Sequence, residues 1–188
     1  MCRGRHTAAR WLAPAVLLAA ALAPLPTRAQ SVDTAFGRAE IAAEITIIDV
    51  DDLYFGQIVP RTNAGTVILT PGATATCATT GGLVRTGGCQ AARFDGQTTS
   101  GSTLRIIRPG GNRITITNPG GATMQVRNFT FTGGLGMQDL GSSGANHRFQ
   151  VNSPTGDFTV YAGATLEVGA NQAPGIYTGT FSIHLQYD

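Results

Sequence analysis

The sequence predicts an all-β protein, an immunoglobulin-like or pilin-like antiparallel β-sandwich that follows a cleaved signal peptide. Three observations indicate this fold class: 25 glycines in 188 residues, a charged fraction of only 13%, and short apolar runs that alternate with period two between turn sequences. Runs long enough for an amphipathic helix are repeatedly broken by Gly, Pro or β-branched residues. We therefore expect strands joined by turns, with no helix in the mature chain.

The first 29 residues have the features of a secretory signal peptide. An arginine-containing start is followed by an apolar stretch from Trp11 to Leu25, and Thr27-Arg28-Ala29 places small residues where a signal peptidase reads them. The stretch is short for a membrane anchor, so we expect cleavage between Ala29 and Gln30 and no membrane span in the mature chain. The predicted location is the periplasm, the cell surface or the extracellular space. The predicted organisation is a signal peptide (1–29), a short extension (30–38) and one sandwich domain (39–188).

Cleavage would also change the net charge. The chain has 13 arginines and no lysine, and four of the arginines lie in the predicted signal peptide. The mature part then has nine basic and 11 acidic residues, a net charge of −2. Because no basic patch or basic run remains, nucleic acid is not an expected partner.

The first strands follow from alternation along the chain. We predict a first strand with Ile41, Ala43, Ile45 and Ile47 on one face, a second at Leu53–Val59, a third at Thr66–Thr70 and a further one at Ala91–Phe94. Pro60 and Pro71 end the second and third strands, since proline cannot donate a ladder hydrogen bond.

The middle of the chain predicts a meander. Leu104 and Ile106, then Ile114 and Ile116, are separated and followed by two turn sequences that contain Pro-Gly-Gly. The parity of apolar residues changes between Val126 and Phe129, which predicts a bulge or a twist there. The remaining predictions are a glycine-rich surface loop at Gly133–Asn146, a short strand with Phe149 and Val151, and one bent strand or two joined at Gly163 within Phe158–Val168.

The last fourteen residues, 175–188, have the most regular pattern. The apolar residues on one parity are Tyr177, Phe181, Ile183, Leu185 and Tyr187, with Gly179 between them, and polar residues occupy the other parity. This alternation predicts one long strand with a single buried face. An unpaired strand edge promotes aggregation, so something must pair it. The pattern leaves open whether that partner lies inside the chain or outside it.

The cysteines of the mature part predict a disulfide. Only Cys77 and Cys89 remain, and an oxidising compartment favours joining them across a glycine-rich loop. The alternative, a redox or metal pair, has neither a C-x-x-C spacing nor a histidine close in sequence.

Catalytic and metal-binding residues are not predicted. His184 lies on the polar parity of the last strand, and His147 has no acid at a suggestive spacing. No nucleophile-elbow sequence supports a Ser-His-Asp set. The acidic cluster Asp49, Asp51 and Asp52 lacks a calcium-loop pattern, and a solvated turn is favoured over a Ca²⁺ site. We therefore expect no enzyme and no cofactor.

Four segments resemble a secreted bacterial family, domain of unknown function 4402. They are Leu53–Pro60, Thr66–Pro71, Thr165–Val168 and Ala170–Phe181, and the likeness extends over roughly 39–187. The C-terminal part is more distantly similar to spore coat protein U domains and to chaperone–usher fimbrial subunits. Such subunits have a penultimate tyrosine and a glycine fourteen positions from the end, as Tyr187 and Gly175 are here.

The fimbrial resemblance implies assembly by strand addition. A periplasmic chaperone first pairs with the last strand of such a subunit, and the N-terminal extension of a like subunit later replaces it. The assembly strand implied here comprises Gly175, Tyr177, Phe181, Ile183, Leu185 and Tyr187. The expected function is a secreted structural subunit of a fimbria-like or coat-like surface assembly.

The N-terminal extension departs from the fimbrial pattern. Gln30–Arg38 is short for a donor strand, and its only sizeable apolar residues are Val32 and Phe36. The better alternating segment, Ile41–Ile47, resembles the domain's own first strand. If that strand pairs within the chain, the alternative is a self-complete extracellular sandwich that binds a glycan or a protein.

Overall fold

A computed structural model describes residues 39, 41, 43–144 and 146–188. The predicted signal peptide, its cleavage site Ala29–Gln30 and the extension 30–38 lie outside the described residues. Within these residues there are thirteen strands: β1 (Thr46–Asp51), β2 (Gln57–Val59), β3 (Gly65–Thr70), β4 (Thr76–Thr79), β5 (Val84–Thr86), β6 (Ala92–Gln97), β7 (Thr103–Ile107), β8 (Arg113–Thr117), β9 (Thr123–Gly133), β10 (Met137–Ser143), β11 (Asn146–Val151), β12 (Asp157–Val168) and β13 (His184–Tyr187). Among the described residues, the only helical element is a 3-10 turn at Gly110–Asn112.

The strands form an antiparallel sandwich, which confirms the predicted fold class. The larger sheet has the order β1-β6-β12-β3-β4, and β9 pairs with the other side of β12 and with β8. The smaller sheet has the order β10-β11-β7-β13, and β2 and β5 form a separate pair. Both sheets therefore end in edge strands, among them β1 and β13.

The core lies between the inner faces of the two sheets. The long strand β12 contributes the largest share from the seven-stranded sheet, because its alternate residues from Phe158 to Val168 are all buried. The four-stranded sheet contributes Leu104, Ile106, Phe149 and Val151, each of which is fully buried. Two half-polar sheets bury apolar surface only by facing each other, so alternation in the sequence leads directly to this packing.

The change of parity between Val126 and Phe129 is a bulge, the first of the two predicted alternatives. The pairing of β9 with β12 shifts register between Gly163 and Thr165, and Asn128 adopts a left-handed φ of 54° opposite this point. Phe158–Val168 is accordingly one bent strand, β12, rather than two. Because of the bulge, the apolar residues of β9 on both sides of it are buried, although their parity differs.

Two predicted strands are shorter than expected. The first begins at Thr46, and Ile41, which precedes it, is 96% exposed. The second is limited to Gln57–Val59, because Gly56 has a φ of 89° and Tyr54 makes only an isolated bridge to Gln90. Alternation alone does not show whether a neighbouring strand is within reach of these residues.

Two predictions for the middle of the chain are wrong. The segment Gly133–Asn146 is not a surface loop, since it contains β10, which pairs with β11. The predicted meander is incomplete, because β7 belongs to the smaller sheet while β8 pairs with β9 in the larger one. The turn after β7 is thus a crossing between sheets, and only β8 and β9 form a hairpin.

Candidate functional site

The C-terminal segment first passes along β8. Thr178 exchanges two backbone hydrogen bonds with Thr117, of 2.9 and 3.1 Å. A Cβ at Gly179 would lie 2.8 Å from Ile116 Cγ2, and Gly175 has a φ of 148° with Asn118 Nδ2 only 2.9 Å from its Cβ position. Both glycines are therefore needed for the close approach to β8.

The segment then crosses to the other sheet as β13. The predicted single long strand is wrong: the ladder covers only His184–Tyr187, although exposed and half-buried residues alternate as predicted from Thr180 to Gln186. The sandwich has two sheets, and the segment lies first beside β8 of the larger sheet and then beside β7 of the smaller one. Regular pairing along its whole length is therefore impossible.

One side of β13 is paired and the other is open. On the paired side β7 lies antiparallel, and the amide of Asp188 donates to Thr103 O at 3.0 Å. In an antiparallel ladder alternate residues bond to the same neighbour, so the backbone groups of Leu185 and Tyr187 point away from β7. No strand within the described residues pairs with that side.

The apolar side chains of the segment complete the core only in part. Phe181 packs edge-on against Phe94 of β6, with ring centroids 6.1 Å apart, and against Phe129 of β9 at 5.0 Å. Ile183 and Leu185 also pack on the core, yet all three remain half-buried. A neighbouring strand on the free edge of β13 would bury more of them.

Tyr187 connects the end of β13 to the segment that leads into β1. Its hydroxyl donates to the carbonyl of Ala43 and accepts a hydrogen bond from the hydroxyl of Thr98, which is buried. β1 pairs with β6 on one side and has no described strand on the other. We define the open side as the free edges of β1 and β13 with the half-buried side chains between them: Ile45, Phe94, Phe181, Ile183 and Leu185.

Removal of the Tyr187 hydroxyl is expected to loosen this connection. Tyr187→Phe retains the ring but leaves the buried Thr98 hydroxyl without its partner, which is expected to lower the free energy of unfolding by about 1 kcal/mol. Urea unfolding of both proteins measures the difference. Tyr54→Phe is the matched control, because the Tyr54 ring is 49% exposed. Equal stability of wild type and Tyr187→Phe would contradict the assigned role.

The acidic cluster lies at the end of β1. Asp49 and Asp51 are in the strand and Asp52 follows it, so the predicted turn begins later than expected. Partial burial raises the pKa of Asp49, and the negative charges of Asp52 and Asp51 raise it further. Within the described residues, no three His, Cys, Asp or Glu side chains are placed to hold a metal ion.

His147 has an acidic neighbour, Asp139, although the sequence offered no acid at a suggestive spacing. Its Nε2 lies 2.7 Å from Asp139 Oδ1 and its Nδ1 lies 2.8 Å from Ser142 Oγ. The ring is buried and stacks on Phe149, with centroids 4.4 Å apart. Because Ser142 pairs with His147 in the β10–β11 hairpin, the contacts join those two strands. These contacts of His147 could not be predicted, because Asp139 and Ser142 lie in a segment that the sequence predicts to be a loop.

The structure agrees with the predictions for the two cysteines and for His184. Cys77 of β4 and Cys89 form the predicted disulfide, with Cα atoms 6.4 Å apart. His184 is exposed on the polar parity of β13. No helix in the described part of the chain is long and apolar enough to cross a membrane.

Comparison with known proteins identifies one family. The model of the family described as Domain of unknown function (DUF4402) matches residues 45–187. The matched region runs from the residue before β1 to the last residue of β13, so it contains the whole open side. No curated protein and no solved structure matches the chain.

Proposed function

We propose that this chain, which belongs to the family described as Domain of unknown function (DUF4402), is an exported, non-enzymatic structural subunit of a fimbria-like or coat-like surface assembly. In this proposal an extended strand from a like subunit, or first from a periplasmic chaperone, adds to the open side along the free edge of β13. The description of the family assigns no function, so the proposal depends on the geometry of the chain.

The observation that carries the proposal is the single-sided pairing of β13. Backbone groups of Leu185 and Tyr187 point toward the open side, and they can bond to an added strand. The half-buried side chains of Phe181, Ile183 and Leu185 lie along the same edge. An exposed edge of this kind is a template for strand addition.

The same geometry specifies what kind of strand fits. One face of an added strand would meet half-buried apolar side chains, and its other face would meet water, so its residues should alternate between apolar and polar. Backbone hydrogen bonds would supply affinity, and the apolar residues would supply register.

Two further features support export. The predicted signal peptide directs secretion, although it lies outside the described residues. The Cys77–Cys89 disulfide suits an oxidising compartment, where such bonds persist.

Hydrogen exchange at single amides tests the proposal. In the isolated mature protein, the amides of Leu185 and Tyr187 are expected to exchange fast, while those of Gln186 and Asp188 are protected by β7. After assembly, recognised as ladders that resist SDS, the first two are expected to exchange roughly a hundredfold more slowly. Gln186 and Asp188 serve as controls within the same strand.

The alternative is a self-complete extracellular sandwich that binds a glycan or a protein. The pairing of β1 with β6 inside the chain favours it, because the predicted first strand is not donated elsewhere. A monodisperse, heat-stable monomer in which the Leu185 and Tyr187 amides are already protected would support this alternative and overturn strand addition.

A further inference from the structure

The outer face of the four-stranded sheet brings two arginines together. Arg148 of β11 lies directly opposite Arg105 of β7, and Gln186 of β13 is next in the same row. Like charges at directly opposite positions destabilise a sheet. An anion beside the pair would offset this repulsion.

Asp188 supplies part of that negative charge. Its carboxylate pairs with Nη2 of Arg148, but it lies 3.9 Å from Nη1 of Arg105, which is too far for a hydrogen bond. One carboxylate thus faces two guanidinium groups, and the three side chains together carry a net charge of +1.

Arg105 uses few of its hydrogen-bond donors. A guanidinium has five N–H groups, and Arg105 Nη2 donates to Gln186 Oε1 at 3.0 Å. Its Nε is buried and has no partner among the described residues. Arg105 therefore has unused donor capacity at Nη1, on the side that faces Asp188.

A shallow, largely open cleft adjoins these groups. It has a volume of about 280 Å³ and is lined by Arg105, Ser143, Asn146, Arg148 and Asp188. The hydroxyl of Ser143 and the amide of Asn146 can add neutral donors to the two charged ones. Paired arginines with neighbouring neutral donors match the oxygens of a carboxylate or a sulfate. None of the lining residues is aromatic, so the cleft provides no surface for stacking a neutral sugar ring.

We propose that this cleft binds a small oxyanion, a carboxylate or a sulfate group, through Arg148 and Arg105, in competition with the carboxylate of Asp188. The site lies on the outer face of the smaller sheet. The open side, in contrast, consists of the free edges of β1 and β13 and of side chains that pack on the core. Oxyanion binding is therefore separate from strand addition, and either one can be tested without the other.

Titration of the mature protein with two probes tests the site. Sodium sulfate and sodium glucuronate are added at constant ionic strength, and the amide shifts of β7 and β11 are followed by NMR. Asp188→Asn is expected to bind about tenfold more tightly, because it removes the competing carboxylate, and Arg148→Gln about tenfold more weakly. Arg113→Gln, at an exposed position on β8, changes the net charge equally and is expected to leave the affinity unchanged.

The outcomes separate the ligand chemistry from a general charge effect. A response to glucuronate alone supports a carboxylate ligand, and a response to sulfate supports a sulfate ligand. Equal weakening by Arg148→Gln and Arg113→Gln overturns the proposal, because net charge alone then explains binding. Absence of any saturable shift in Asp188→Asn, confirmed as folded by its thermal unfolding, also overturns it. Asp188→Ser replaces this variant if Asp188→Asn does not fold.

Discussion

Replacing Phe181 with alanine is expected to lower the free energy of unfolding by about 3 kcal/mol. The ring of Phe181 packs against Phe94 and Phe129, which belong to two strands of the larger sheet, while its own segment leads into the smaller sheet. Alanine would leave a cavity between the sheets and remove both aromatic contacts. The expected loss lies at the lower end for a buried phenylalanine, because this ring is half-exposed.

Urea unfolding of the mature protein measures this effect. Ile176→Ala is the matched control, since it removes an apolar side chain from the same segment at a position that is 78% exposed. The control is expected to change the stability by less than about 0.5 kcal/mol. If Phe181→Ala is no more destabilising than Ile176→Ala, the segment does not complete the core as described.

The result for Phe181 also bears on assembly. If the segment is held mainly by this aromatic contact, Phe181→Ala is expected to release β13 and to raise the exchange rate of the Gln186 and Asp188 amides as well. Strand addition then has no stable edge to extend. The variant therefore distinguishes loss of the edge strand itself from loss of its added partner.

Removing the disulfide is expected to cost a similar amount, about 3 kcal/mol. Cys77 and Cys89 are 12 residues apart, and the bond joins edge strand β4 to the chain that enters β6. Its main effect is expected on the unfolded state, whose chain entropy rises when the loop opens. The double variant Cys77→Ala, Cys89→Ala tests this with little change in polarity, since both cysteines pack on the core.

Reduction of the wild-type protein provides the comparison for that variant. The wild type with dithiothreitol should lose the same stability as the double variant without it, and the double variant should not respond to the reductant. A denaturant slope that rises in the double variant would agree with a more expanded unfolded state. A loss below about 1 kcal/mol would contradict the role assigned to the disulfide.

Much of the fold could be predicted from local patterns. The alternation from Phe158 to Val168 identified the central strand β12, and the change of parity at Val126 and Phe129 located the bulge opposite Gly163. Cys77 and Cys89 are the two cysteines of the predicted mature part, and this indicated the disulfide. In each case the signal lies in residues close together in the sequence.

The wrong predictions share a different cause. The β10 strand was predicted as a loop because its glycines and polar residues form an exposed edge strand, in which little apolar pattern is required. With that strand missed, the contacts of His147 with Asp139 and Ser142 had no predicted basis. The opposite positions of Arg105 and Arg148 could not be predicted either, since they depend on strand order.

The all-β class, the alternating faces, the disulfide and the apolar parity of the last segment can be predicted from the sequence, because each depends on spacing between near neighbours. Which strands pair is seen in the three-dimensional structure alone. It divided the C-terminal segment between β8 and β7, and it left one edge of β13 without a described partner. Strand order depends on contacts between residues far apart in the chain, and period-two alternation is the same for every neighbour that a strand can have.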